Sequence, residues 1–296
     1  MRNHSTRFCI TLHRRTVAIL LWLIFLNSIG VCGTEKERKI IVADNSARSY
    51  FVRIDFQTGV WKHRGSGFYI IRNKGLYFAT ARHVLFETDS LSNRSLLKSQ
   101  TVILTSSGSD ELDSTQMILE LSLDELSISR DLRVLESLDI AVAHLGTFSK
   151  SGQVLTGAGV KIISTPKSAP YAVSEDGVYQ CDSISSGSFV LIGGYPMLSD
   201  SGEMAKDLRI ETGEVREIDY TTGEFKISSK VVGGMSGGPV FGSKPNPGTA
   251  TNAKVVGLVR GYAEMSFDSI GGRTEFLFSF AVCIDSILSL IDEGWK

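Results

Sequence analysis

The chain has 296 residues, 42% hydrophobic, 21% charged and 9% aromatic, with 29 glycines, which excludes a disordered, collagen-like or coiled-coil chain and leaves material for a core. Lys+Arg 31 against Asp+Glu 32 gives a formal net charge of −1. No basic excess exists to neutralise phosphates, so nucleic acid is excluded as the main partner.

The chain opens with Arg2, Arg7, Arg14 and Arg15, an apolar run over residues 16–26, and small residues at Gly30 and Gly33. This pattern predicts an export signal over residues 1–33, removed near Cys32 or Gly33. The run falls short of the roughly 20 apolar residues a bilayer core requires, and retention as an anchor over residues 16–31 is the alternative. Loss of those four arginines from the 31 basic residues leaves 27 against 32 acids, a charge of about −5. Cys9 and Cys32 leave with the signal, and Cys181 and Cys283 remain. These form either one disulfide, worth about 4 to 5 kcal/mol for a loop of about 100 residues, or two buried thiols. With no C-x-x-C or H-E-x-x-H, and His63, His83 and His144 lacking ligand spacing, no metal site and no cofactor are expected.

Beyond the signal, short apolar runs broken by Gly, Ser, Asn and Asp predict strands at 50–56, 67–71, 76–80, 101–105, 139–145, 161–164, 189–193, 224–228, 254–260 and 276–284. The fold class is therefore all-β. Residues 87–99 read as a polar surface loop, with Asn93 in a glycosylation sequon that matters only in a eukaryotic source. All six prolines lie from Pro166 onward, and Pro166 and Pro170 mark a linker at about 164–171. It divides the chain into two β units, about 45–164 and 171–285, before a short amphipathic helix at 284–291, extending to about 295.

The segment Gly233-Gly234-Met235-Ser236-Gly237-Gly238-Pro239 surrounds a serine with glycines. Glycine permits unusual dihedrals and close backbone approach. A nucleophilic serine needs both, because its hydroxyl must enter a cleft while nearby N–H groups face the developing oxyanion. A tight turn is the bland alternative. The same string matches the G-x-S-x-G elbow of α/β-hydrolases, but those enzymes place their histidine after the serine, and every histidine here precedes Ser236. His83, where a strand in FATARHV ends, is the best base. His63 lies in a polar bend, and His144 reads as an ordinary strand histidine. Asp139, at the mouth of the apolar run DIAVAHL, is the candidate orienting carboxylate ahead of Asp89, Asp124 and Asp131.

TARHV, DIAV and GMSGGPV together resemble the trypsin-like, chymotrypsin-fold serine peptidases, over nearly all of the chain after residue 33. His83 precedes Asp139 by 56 residues and Asp139 precedes Ser236 by 97, in the order His, Asp, Ser. FVLIGGYP at 189–196, VGLV at 256–259 and FAVCI at 280–284 look most like HtrA/Deg-type bacterial trypsin-like peptidase domains, without a PDZ domain. The resemblance implies two six-stranded antiparallel barrels with the site between them, a triad of His83, Asp139 and Ser236, an oxyanion hole from the N–H groups of Gly234 and Ser236, and polypeptide substrates.

Two departures matter. Digestive trypsins carry an acid before the serine that pairs with a new N-terminus after zymogen cleavage, and here that residue is Met235, so that switch is absent. Lys230 stands where the resemblance puts the base of the primary specificity pocket, with Arg260 on the next strand. A cation there favours acidic P1 side chains, and a solvated lysine is the alternative reading. A catalytically silent protease-like binding module in the cell envelope is the second functional class.

Overall fold

The computed structural model describes residues 45–89, 95–107, 116–148, 154–164, 172–197, 208–229, 231–242, 254–269 and 272–295, with side chains at 45–46, 107, 148, 154 and 263–277 excepted. The predicted signal, Cys9, Cys32, the Asn93 sequon, most of the linker and Lys230 lie outside these residues.

The N-terminal half contributes β1 (Val52–Thr58), β2 (Trp61–Arg72), β3 (Gly75–Ala81), β4 (Phe86–Thr88), β5 (Ser95–Leu97), β6 (Thr101–Ser107), β7 (Gln116–Ser122), β8 (Leu132–Leu135), β9 (Ile140–Phe148), β10 (Val154–Thr156), β11 (Val160–Ser164) and β12 (Ala172–Val173). All but β4 and β5, which pair with each other, form one curled ten-stranded sheet of order β10-β9-β3-β2-β1-β6-β7-β11, with β12 beside β2 and β8 beside β9. β3 (GLYFATA) is buried at every position because it lies between β2 and β9 with both faces covered. β7 alternates buried and partly exposed residues, as a strand with one covered face does.

The second half contributes β13 (Phe189–Gly194), β14 (Arg209–Asp219), β15 (Glu224–Ile227), β16 (Pro239–Gly242), β17 (Lys254–Ser269) and β18 (Gly272–Cys283), which close into a six-stranded antiparallel barrel. Both halves are antiparallel β apart from the parallel pairing of β12 with β2, so the architecture is the expected double barrel. The first differs in that its sheet is open and recruits ten strands, β10 and β11 forming its two edges.

A helix, Ile284–Gly294, follows β18 directly and buries Ile284, Ile287 and Ile291, spaced three and four residues apart on one face. These residues join a core shared by the two halves, in which Phe51 meets Phe241 with ring centroids 5.8 Å apart. The sequence left open whether Cys181 and Cys283 are free thiols. They form a disulfide at the root of this helix, 102 residues apart in the chain.

Candidate active site

β3 ends at Ala81, and the chain turns at once into a one-turn helix, Arg82–Leu85, which carries His83 out of the sheet. The imidazole is 46% exposed, whereas the Asp139 side chain is 13% exposed. Asp139 reaches it from the end of a 3-10 turn, Glu136–Leu138, immediately before β9. Its φ of 58° is in the left-handed region, which Asp tolerates better than most side chains. That conformation lets one residue engage the helix in three ways. The Arg82 N–H donates to the Asp139 carbonyl at 2.7 Å, the His83 N–H donates to Asp139 Oδ1 at 2.9 Å, and His83 Nδ1 lies 2.6 Å from Asp139 Oδ2. Facing a carboxylate, Nδ1 is the donor of this pair.

Lys98 completes the frame, its Nζ donating to the His83 carbonyl at 2.6 Å. Burial holds this ammonium below the usual lysine range, against the opposing pull of Glu87 and Asp139.

The serine loop comes from the other half of the molecule. Ser236 is half-buried, between fully buried Met235 and buried Gly237. Gly237 adopts φ +89°, and a Cβ built there would lie 2.1 Å from the Ser66 carbonyl oxygen, 2.3 Å from Thr80 Oγ1 and 2.9 Å from the Ala81 nitrogen. Only glycine permits this approach, which seats the loop against β2 and the end of β3, two residues before His83. The Ser66 N–H donates to the Ser236 carbonyl at 3.0 Å across the same seam.

The loop's carbonyls are occupied. Gly233 O accepts the Met197 N–H at 2.8 Å, Gly234 O accepts the Ser66 hydroxyl at 2.7 Å, and Met235 O accepts the Gly238 N–H at 3.1 Å. Among the described residues the N–H groups of Gly234 and Ser236 meet no acceptor. Gly234 takes φ +96°, and a Cβ there would strike Met197 N and Tyr195 O at 2.5 Å.

The other sequence candidates are placed elsewhere. His63, expected in a polar bend, lies within β2, opposite Phe56 in the β1–β2 hairpin and stacked on its ring at 5.0 Å. Polar residues there belong to a strand because the hairpin extends past the buried core. His144 pairs with Asp131 at 3.1 Å, and Asp131 also accepts the Trp295 indole N–H at 3.2 Å. Arg260 sits at the bulge between Val259 and Gly261, and its guanidinium is committed to Glu224 on β15. Lys230 is not among the described residues. Among the described residues no cluster of His, Cys, Asp and Glu is placed to hold a metal ion.

Ser66 is the residue the sequence reading passed over. Fully buried in β2, its hydroxyl also accepts the Tyr195 N–H at 2.7 Å, and its carbonyl accepts the Thr80 hydroxyl at 2.7 Å. The available signal is the triplet Gly65-Ser66-Gly67, a polar residue between glycines at the start of an apolar run, where neighbouring backbone passes close.

No family model and no curated sequence matches the chain. Among solved structures, the active form of the Rv3671c protease from M. tuberculosis is similar at 15% identity, over 86% of this chain and 84% of that one, with a TM-score of 0.47. The serine endoprotease from Yersinia pestis is similar at 15% identity, over 88% of this chain and 66% of that one, with a TM-score of 0.48. A thermostable serine protease, AL20, from an extremophilic microorganism is similar at 14% identity, over 80% of this chain and 91% of that one, with a TM-score of 0.45. By their names these three are a protease, a serine endoprotease and a serine protease.

Proposed function

We propose that the chain is a serine endopeptidase using His83, Asp139 and Ser236. The observation that carries this reading is the grip of Asp139 on His83, through both backbone N–H and Nδ1, with a serine loop pressed onto the strand that ends at Ala81, two residues before His83. With Nδ1–H committed, the Nε2 lone pair takes the Ser236 hydroxyl proton as Oγ bonds to the scissile carbonyl carbon. The carbonyl π pair moves onto oxygen, and the free N–H groups of Gly234 and Ser236 receive the oxyanion. Collapse of this intermediate breaks the C–N bond, the imidazolium returns its proton to the leaving amine, and an acyl-Ser236 ester remains. Water, deprotonated by the same Nε2, hydrolyses that ester and restores the hydroxyl. Asp139 stays ionised throughout and stabilises each imidazolium.

The polypeptide substrate would bind as an added strand. β17 pairs with β16 only as far as Leu258, and Val259 is bonded to Gly237 and Gly238 of the serine loop. Beyond it, the edge of residues 260–262 carries no partner on that side among the described residues, which supports main-chain pairing with an extended peptide. If Lys230 and Arg260 contribute to P1 selection, Arg260 does so while paired with Glu224. Export of the protein is part of the proposal, since a disulfide between Cys181 and Cys283 suits an oxidising compartment.

The test is labelling of purified protein with a fluorophosphonate probe, with Ser236→Ala and His83→Ala as controls. Labelling abolished in both variants is expected. Folded wild-type protein that never labels would overturn the peptidase reading and leave a peptide-binding module.

A further inference from the structure

An oxyanion hole requires two N–H groups of a glycine-rich loop to face one point, and such a loop has little intrinsic stiffness. In a planar trans peptide the N–H points opposite to the C=O, so whatever binds the carbonyl sets the N–H direction. Gly233 O, held by Met197 N at 2.8 Å, turns the Gly234 N–H away from Met197. Met235 O, held by Gly238 N at 3.1 Å, fixes the Ser236 N–H in the same manner. Between these lies the Gly234–Met235 peptide, whose carbonyl accepts the Ser66 hydroxyl at 2.7 Å, the one side-chain hydrogen bond to the loop among the described residues.

That hydroxyl works at two points. It also accepts the N–H of Tyr195 at 2.7 Å, two residues before Met197, and so binds the loop to the segment that orients Gly233. Ser66 cannot drift. It has no solvent exposure, its N–H is bonded to Ser236 O at 3.0 Å, and its carbonyl is bonded to Thr80 Oγ1 at 2.7 Å. Met235, also without solvent exposure, brings a thioether into the apolar core and no charged anchor.

We propose that Ser66 is the positioning residue of the oxyanion loop: its buried hydroxyl locks the Gly234–Met235 peptide so that the N–H groups of Gly234 and Ser236 converge without an activating cleavage. The inference rests on the peptidase reading and deepens it. Without the hydroxyl, Gly234 O and Tyr195 N become partly buried groups that have lost this partner. The cheapest relief is rotation of the loop peptides, which the glycines permit and which moves an oxyanion donor out of place.

The experiment compares wild type, Ser66→Ala and Ser66→Cys in hydrolysis of a chromogenic peptide, in binding of a peptide boronic acid that forms a tetrahedral anion on the serine, and in thermal unfolding. Loss of one oxyanion donor typically costs about 100- to 1000-fold, and a positioning residue acts one step behind it. We expect Ser66→Ala to unfold cooperatively, with kcat at least about tenfold lower, KM changed less than about threefold, and boronate affinity reduced in parallel with kcat. Ser66→Cys, close in shape but a weak hydrogen-bonding group, should fall between the two. Unchanged kcat and boronate affinity in folded Ser66→Ala would overturn the inference while leaving the peptidase reading intact. So would a raised KM with unchanged kcat. If Ser66→Ala does not fold, the same readings on Ser66→Cys decide. Wild-type protein without hydrolysis or labelling overturns the peptidase reading, and the inference with it.

Discussion

Substituting Asp139 by Asn tests the site with little confounding from the backbone. Asn tolerates the left-handed φ of 58° as readily as Asp, whereas Ala does not, so loss of activity cannot be assigned to strain. The carboxylate accepts from two donors of one residue, the His83 N–H at 2.9 Å and Nδ1 at 2.6 Å. An amide offers one acceptor and one donor group, so it satisfies only one of them. If its oxygen keeps the backbone N–H, its NH2 faces Nδ1, the imidazole proton moves to Nε2, and the lone pair that the proposed mechanism assigns to Nε2 is lost. If the amide is flipped, its NH2 opposes the His83 N–H and the helical turn carrying the ring is pushed away. Either arrangement removes the acceptor lone pair from its working position, and the same change in triad hydrolases lowers kcat by about 10⁴-fold, close to 5.4 kcal/mol at about 1.36 kcal/mol per tenfold. Stability should fall by only about 1.5 to 3 kcal/mol, the worth of a charge-assisted hydrogen bond. The assay is single-turnover acylation by an activated ester, with urea unfolding alongside. Folded Asp139→Asn protein acylating within tenfold of wild type would refute the argument that Asp139 sets the tautomer.

The molecule contains its own control in the second Asp–His pair, because Asp131 holds His144 at 3.1 Å beside the Trp295 indole. Asp131→Asn should cost about 1 kcal/mol in urea unfolding and leave acylation within twofold, so a large activity loss would move the base assignment from His83 to His144. The Cys181–Cys283 disulfide closes a loop of 102 residues. Its reduction, or the Cys181→Ala and Cys283→Ala pair, should lower unfolding free energy by about 4 to 5 kcal/mol, read as a drop in denaturant midpoint, and an unchanged midpoint would show that the unfolded chain gains little from its release.

Legibility in the sequence followed the range of the interaction. The ten strands expected from hydropathy fall on observed strands, most of them because they carry several buried apolar positions, whereas residues 161–164 leave Ile162 and Ile163 exposed and are held by pairing with β7. β14 escaped notice since six of its eleven residues are charged and only Gly213 and Val215 are buried. It becomes a strand through its neighbours β13 and β15. His83, Asp139 and Ser236 stand out because each has a local signature, a strand end or a glycine cluster. Ser66 lies 168 residues from Gly234 and 129 from Tyr195, and its meaning depends on both partners. Arg260 also depends on a distant partner, its guanidinium being paired with Glu224, 36 residues away, which no local pattern announces.

The polar contacts that seat the serine loop cross the seam between the two halves, which gives the helix after β18 a role. His83 and Asp139 belong to the first sheet and Ser236 to the barrel, with Ser66 N–Ser236 O and Ser66 Oγ–Gly234 O as direct ties between them. A displacement of about 1 Å between reacting groups costs about 100-fold in rate, so a hinge at the seam would be expensive. The helix leaves the barrel at Cys283, where the disulfide anchors it, and runs onto the first sheet. There Ile287 and Ile291 enter the shared core, Arg72 clasps Asp292 through two hydrogen bonds of 2.6 Å, and the Trp295 ring meets Tyr77 at 5.2 Å. The helix therefore acts as a strap joining the halves. Rigidity between the halves is drawn from apolar burial and an ion pair on the helix, and the residues around Ser236 are left out of that clasp.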